Sequence, residues 1–299
     1  MREIWGLIPA LITPFKKDGS IDFDGLGENV DALLRKGAHG FLAGGGTGEH
    51  LHMDIDEWKQ VVKVVMEHAQ SKVPILVGAF GLTSRAVIEK AKYAEQNDAD
   101  GVLVPAPYLY PLEERELYQF YKDVSDSVNI PITIYNAPFA AKVSLSPALV
   151  VRLIQDCSNI RSLKDASGDI RATQQFITST HGALTVFEAW DSITIEAFVL
   201  GAKGWITSAA GNLLTEQASK ICDLAIKQKN FDKAREIYFK LIPFLNYIDS
   251  RQATQWLTFV HEALNMIGLK GGYPRKPLLP PEPDMIEEIR KVLKEIAVI

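Results

Sequence analysis

About eight short runs rich in β-branched and apolar residues recur along the chain, separated by amphipathic stretches of helical length. They are Gly6 to Thr13, Gly40 to Ala43, Ile75 to Ala79, Gly101 to Val104, Ile132 to Tyr135, Ile160 to Lys164, Leu184 to Phe187 and Trp205 to Ser208. Strands that alternate with helices pair in parallel, because a parallel connection needs a crossover of helical length. Phe41-Leu42-Ala43 and Ile75-Leu76-Val77 are apolar on successive residues, as strands buried on both faces must be. A doubly wound open sheet satisfies the alternation too. The number of βα units, and the lack of a GxGxxG turn after the first strand, favour a closed barrel.

Beyond residue 212 the β-type runs stop. Helical patterns follow at Leu213 to Lys227, Phe231 to Tyr247, Ala253 to Ile267 and Met285 to Ile296, with a Gly- and Pro-punctuated linker from Gly271 to Pro283 before the last. The expected fold is a (β/α)8 TIM barrel over residues 1–225 with a C-terminal helical module over 226–299. A chain of 299 residues is long enough for both. Ala38-His39-Gly40, Ala99-Asp100-Gly101 and Ala202-Lys203-Gly204 each place a glycine just before a strand. We read these as one recurring turn in which the glycine leaves a helix in a left-handed conformation.

Charge excludes some functions. The net charge is −5 with both signs dispersed, so nothing attracts a nucleic acid or an anionic membrane. The N-terminal segment Met1 to Pro9 has too short an apolar stretch for a secretory signal, interrupted by Pro9 and Pro14, and no run of about 18 uninterrupted apolar residues exists. Cys157 and Cys222 form neither a CxxC pair nor a disulfide framework, and both sit in apolar helical patterns. A cytoplasmic protein with reduced, buried thiols is expected.

Three segments carry chemistry. Lys164 ends a predicted strand, and in a parallel barrel side chains there face the catalytic mouth. A lysine buried in an apolar mouth loses its proton more readily and can attack a carbonyl; a strand-end lysine can also snorkel to solvent. Tyr135 ends the preceding strand, beside Lys164, where a phenol can relay protons or simply pack. The loop Gly44-Gly45-Gly46-Thr47-Gly48-Glu49 lies between a strand and a helix beginning near Asp54. Its backbone amides, with the Thr47 hydroxyl, suit a small anion such as a carboxylate; it is not a Walker loop, lacking the Lys-Ser/Thr pair. His50 and His52 would share one side of an extended segment, but no third ligand accompanies them. Asp18, Asp22 and Asp24 suit a turn and a helix N-cap rather than a calcium loop. No metal is expected.

The GGTGE loop, Tyr135-Asn136-Ala137-Pro138 and Leu163-Lys164-Asp165-Ala166-Ser167-Gly168-Asp169, in this order and spacing, resemble the dihydrodipicolinate synthase and N-acetylneuraminate lyase superfamily of class I aldolases. The similarity runs from Gly6-Leu7-Ile8-Pro9 to Arg275-Lys276-Pro277-Leu278. It implies a (β/α)8 barrel, a homo-oligomer (tetramer or dimer), and a 2-oxo acid such as pyruvate bound as a covalent imine on Lys164 with no cofactor. By motif, Tyr135 becomes the proton relay, Thr47 with Gly46 the carboxylate-binding pair, and Ile206 the residue whose strand meets the pyruvate moiety. The chain departs from dihydrodipicolinate synthases at Gly46, where a second hydroxyl residue is usual. It departs again at Ala140, where an arginine binds the aldehyde's carboxylate, and at Leu109, flanked by Tyr108 and Tyr110, which aligns best with a tyrosine supplied across a dimer contact. Ala166 departs from the neuraminate lyases. The loop Gly45-Gly46-Thr47-Gly48-Glu49 and the segment Pro107-Tyr108-Leu109 are more similar to the sugar-acid branch, which includes 5-dehydro-4-deoxyglucarate dehydratase, although that dehydratase continues YN with a charged run rather than Ala137-Pro138. The leading expectation is a Schiff-base lyase that cleaves a 2-oxo-3-deoxy sugar acid to pyruvate, or dehydrates one, with Glu188, Asp191, Thr207 and Ser208 as candidate hydroxyl contacts. The alternatives are condensation of pyruvate with aspartate semialdehyde, as in 4-hydroxy-tetrahydrodipicolinate synthase, and a non-catalytic small-acid binding protein.

Overall fold

The computed structural model describes residues 2–251 and 255–296. Its eight strands are β1 (Gly6–Pro9), β2 (Phe41–Ala43), β3 (Ile75–Gly78), β4 (Gly101–Pro105), β5 (Ile132–Asn136), β6 (Ile160–Asp165), β7 (Thr185–Glu188) and β8 (Gly204–Thr207). From β2 to β8 each strand pairs in parallel with the next in sequence, and β8 pairs with β1. A bridge between Ala10 and Leu42, where the Leu11 amide donates to the Leu42 carbonyl at 3.0 Å, joins the remaining edges. The expected TIM barrel is therefore the observed fold.

Strand alternation divides each strand between two cores. Ile8, Leu42, Leu76, Leu103, Phe187 and Ile206 fill the barrel interior, with Tyr135 packed against them. Their neighbours Phe41, Val77, Val102, Val104, Ile134, Leu163 and Val186 face outward under the helices. Polar residues enter the interior as a pair: the Thr133 and Ser162 hydroxyls lie 2.6 Å apart. The register then sets Tyr135 beside Lys164, one pleat further toward the C-terminal mouth.

The glycines before the strands have a different role from the one expected. Gly40, Gly101 and Gly204 are not left-handed; that conformation falls three residues earlier, at Gly37, Asp98 and Gly201. A Cβ at Gly40, Gly101 or Gly204 would instead lie 2.9, 3.1 or 2.6 Å from the carbonyl oxygen of Pro74, Pro131 or Gly6. Close backbone approach at the strand entry is the constraint.

The helix Ile55–Ala69 buries Trp58, Val61, Val62, Val65 and Ala69, which share a face at helical spacing. Asp54 caps it, accepting from the Asp56 and Glu57 amides while Glu57 returns a bond to the Asp54 amide. The Trp58 indole donates to the Gly44 carbonyl at 3.1 Å, so this helix pins the glycine loop. Asp22 caps the helix Phe23–Arg35, and Asp18 accepts from Ser20 in a turn, as expected.

The helical stretch expected at 213–227 is three pieces, Ala209–Leu213, Thr215–Cys222 and a wider turn at Asp223–Lys227. The helices Phe231–Asp249, Gln255–Met266 and Pro283–Glu295 follow; the expected start at Ala253 lies outside the described residues. They pack with Leu7, Ile12 and Trp205 of the barrel in one hydrophobic cluster. Both thiols are free and buried. No helix is long and apolar enough to cross a membrane among the described residues.

Candidate active site

Lys164 projects from the mouth end of β6 into the barrel and is 7 % exposed. Its amine lies 4.5 Å from the centroid of the Tyr135 ring. Burial disfavours the ammonium and brings its pKa down to about 8, against the opposing pull of Asp191 and Glu188. The amine is thus partly neutral at physiological pH. Burial also raises the Tyr135 phenol, which keeps its proton.

The rings extend this pair toward the glycine loop. Phe80 lies 6.2 Å from Tyr135, and His50 packs edge-on against Phe80 at 4.7 Å. A Cβ at Gly46 would meet only Phe80, at 3.7 Å, so the loop borders the same space and Gly46 has room for a side chain. Thr47 is buried beside it, and Ile206 lines the interior cluster against which Tyr135 packs. Lys164, Tyr135, Gly46 and Ile206 therefore converge on one region, with Thr47 in the bordering loop.

The histidines do not share a face. His50 to His52 is a 3-10 turn rather than an extended segment, so the two rings part. His50 is buried, with Nε2 3.4 Å from the Tyr108 hydroxyl, and burial lowers its pKa to about 3: it is a neutral ring. His52 turns to Glu49. Among the described residues no cluster of His, Cys, Asp and Glu could hold a metal ion.

Behind the lysine, the outward-facing residues of β5, β6 and β7 form a polar chain. Asn136 donates to Asp165 at 2.8 Å, and Asp165 also accepts from the Ser167 amide and hydroxyl. Thr173 contacts Asp165 at 2.9 Å and Glu188 at 3.1 Å with its one hydroxyl. The Ala189 and Trp190 amides donate to the other Glu188 oxygen. Burial is the main cause that pushes Glu188 up to about 8, so its carboxyl is largely neutral and supplies the second proton this chain needs. Glu188 is therefore occupied internally and does not match its expected role as a hydroxyl contact. Asp191 is likewise tied to the Trp205 indole at 2.8 Å, and its pKa is raised by burial and by Asp249. Thr207 lies against Asp191. Ser208, just past β8, buries a hydroxyl that has no partner among the described residues. The sequence signal for the chain was the polar residue immediately after each candidate, Asn136 after Tyr135 and Asp165 after Lys164.

A buried amine near neutrality, beside a protonated phenol and a glycine-rich loop, can form an imine with a small oxo acid. Comparisons with known proteins agree with that chemistry. The Dihydrodipicolinate synthetase family matches residues 3–296. The chain is 33% identical over 294 residues to the 4-hydroxy-tetrahydrodipicolinate synthase of Methanocaldococcus jannaschii, covering 97% of this chain and 96% of that protein. It is 32% identical over 296 residues to the synthase of Archaeoglobus fulgidus, covering 98% and 99%. Among solved structures, the chloride-inhibited dihydrodipicolinate synthase from Acinetobacter baumannii, complexed with pyruvate, superposes with a TM-score of 0.93 at 31% identity, over 99% of this chain and 100% of that one. The chain belongs to the dihydrodipicolinate synthetase family, and with it to the lyases of class I aldolase type.

Proposed function

We propose that this enzyme binds pyruvate as an imine on Lys164 and joins it to aspartate semialdehyde, the reaction of the 4-hydroxy-tetrahydrodipicolinate synthases it resembles over nearly its whole length. The observation that carries the imine is the buried Lys164 amine, 4.5 Å from the Tyr135 ring and brought down to about 8. The neutral amine attacks the ketone carbon of pyruvate; the carbinolamine then loses water, and Tyr135 passes the protons that this exchange requires. The iminium draws electrons from the adjacent methyl carbon, which loses a proton to become an enamine and attacks the aldehyde. The amino group carried by the aspartate semialdehyde part then adds to the iminium carbon, which closes the ring and expels the Lys164 amine. Thr47, with the amides around Gly46, receives the pyruvate carboxylate, and Ile206 lines the face opposite.

A second reading rests on Ala140 and Ser208. No guanidinium stands at position 140 to meet the carboxylate of aspartate semialdehyde, and the Ser208 hydroxyl just past β8, without a partner among the described residues, suits a polyol. On this reading the imine forms with a 2-oxo-3-deoxy sugar acid, which is cleaved to pyruvate or dehydrated. Under either reading we propose a homo-oligomer. Leu51, Leu109, Tyr110 and Phe139 expose large apolar side chains on the loops that follow β2, β4 and β5, and Leu109 holds a φ of 98°, unusual for a residue with a Cβ.

The test is borohydride reduction with pyruvate, read by intact mass and peptide mapping, followed by turnover. A reduced pyruvyl adduct on Lys164, with consumption of pyruvate only when aspartate semialdehyde is added, is the expected result. An adduct with turnover only on 2-oxo-3-deoxy sugar acids moves the assignment to the second reading. No adduct on Lys164 removes both.

A further inference from the structure

Two residues beyond Thr47, Glu49 is 1 % exposed and adopts a left-handed φ of 56°, an unfavourable conformation for a residue with a Cβ. One carboxylate oxygen lies 2.8 Å from His261 Nε2, on the helix Gln255–Met266 of the C-terminal region. The other lies 2.8 Å from His52 Nδ1 and accepts the Arg275 amide at 3.0 Å. His261 is equally buried, and its second nitrogen lies 2.7 Å from the Gly271 carbonyl. The ring is thus held between two oxygens, the Gly271 carbonyl on one side and the Glu49 carboxyl group on the other. A Cβ at Gly271 would lie 1.8 Å from the His261 carbonyl oxygen, so only glycine brings that strand of backbone onto the ring. Arg275 fastens the other flank: it donates to both Glu57 oxygens at 2.6 Å, to the His52 carbonyl at 2.6 Å and to the Gly19 carbonyl at 2.8 Å.

We propose that His261, from the helices beyond the barrel, is a positioning residue for the substrate loop: through Glu49 it fixes the backbone around Thr47 and so sets how tightly the enzyme holds a 2-oxo acid carboxylate. The inference rests on the reading that Thr47 receives that carboxylate. His261 itself touches no substrate. Its effect passes along two residues of backbone whose left-handed turn relaxes once the buried carboxylate loses its partner.

The experiment measures the pyruvate concentration that half-saturates borohydride trapping on Lys164, and the trapping rate at saturation. Wild type is compared with His261→Gln, Glu49→Gln and His261→Lys. Both glutamine variants should raise the half-saturating concentration about tenfold, the loss expected for one charge-assisted hydrogen bond, with the saturating rate within about twofold. His261→Lys offers Glu49 a charged donor and should recover most of the affinity. Unchanged half-saturation in His261→Gln overturns the proposal, as does a parallel fall in affinity and saturating rate, which marks general damage. If His261→Gln does not fold, Glu49→Gln and His261→Lys decide on the same two readouts. No adduct in wild type removes the functional reading and this inference together, whereas an adduct with unaffected variants removes this inference alone.

Discussion

Lys164 has two thermodynamic faces, because the burial that makes its amine reactive also opposes folding. An unfolded lysine titrates near 10.5, whereas this one titrates near 8 in the fold. As pH falls from about 10.5 to 8, the unfolded chain takes up a proton that the folded chain refuses, so stability is lost across that window and the loss is complete below it. The penalty at neutral pH is on the order of 3 kcal/mol. Lys164→Met keeps the length of the side chain without the charge. It should abolish the borohydride adduct yet raise stability by roughly that amount at pH 7, with the gain shrinking to nothing above about pH 10.5. Urea unfolding at three pH values checks this. A variant that is inactive and also less stable than wild type at pH 7 would mean that the amine contributes favourable contacts in the fold. The same titration predicts that trapping of pyruvate speeds up as pH rises toward 8, where the neutral amine becomes the major form.

The ends of three adjacent strands, β5, β6 and β7, are bound together by the chain Asn136–Asp165–Thr173–Glu188, on the face opposite Tyr135 and Lys164. Glu188 is raised from 4.5 to about 8, so the stability that goes with its neutral form is fully present below about pH 4.5 and is lost progressively as pH rises to about 8, while the unfolded carboxyl ionises first. Glu188→Gln is a neutral mimic: its oxygen accepts from the Ala189 and Trp190 amides, and its NH2 donates to Thr173. It should match wild type in acid and exceed it as pH rises above 4.5. Glu188→Ala leaves two part-buried amides without their acceptor and empties a buried site, and should lower stability by about 3 kcal/mol. Thermal melts between pH 4 and 9 separate the two, and a glutamine variant that loses as much as alanine would show Glu188 to be charged. The sequence made the strands legible because each carries successive apolar residues, and it made Lys164 and Tyr135 legible because strand ends are local. It did not show which glycines are left-handed. Gly37 and Gly201 do the turning, and Gly40 and Gly204 only admit a neighbouring carbonyl, a distinction set by a contact between distant strands. His50 and His52 were placed on one side for a related reason, since only the packing of Phe80 and Tyr108 around His50 reveals the tight turn. Glu188 had no such local mark: its neutrality follows from burial, in a site that a threonine 15 residues earlier helps to form.

At the scale of the molecule, the barrel and the helices after it share apolar surface on one side and the buried Glu49–His261 contact on the other. We propose the division at residues 225 and 226 as one of architecture, because the wider helical turn Asp223–Lys227 straddles it and the cluster of Leu7, Trp205, Leu213, Tyr238, Phe244 and Phe259 crosses it. Leu7 and Trp205 are fully buried, Leu213 nearly so, and each loses about 1.5–3 kcal/mol when its side chain returns to water. Ile12, Ala209, Leu214, Ala218 and Ile221 lie on the barrel side of the same cluster. Exposing this surface costs about as much as the 5–15 kcal/mol by which domains are usually stable. A chain ending at residue 225 should therefore fail to form a native barrel. Near-ultraviolet circular dichroism of the Trp205 environment and limited proteolysis check this: the truncated chain should lose the tryptophan signal and be cut throughout. Partial truncation sharpens the argument. A chain ending at residue 282 lacks only the helix Pro283–Glu295, whose buried residues are Ile289, Val292 and Leu293, while it keeps His261, Gly271 and Arg275. Such a chain should fold with reduced stability and still trap pyruvate, which would separate the stabilising work of the last helix from the positioning work of the residues before it.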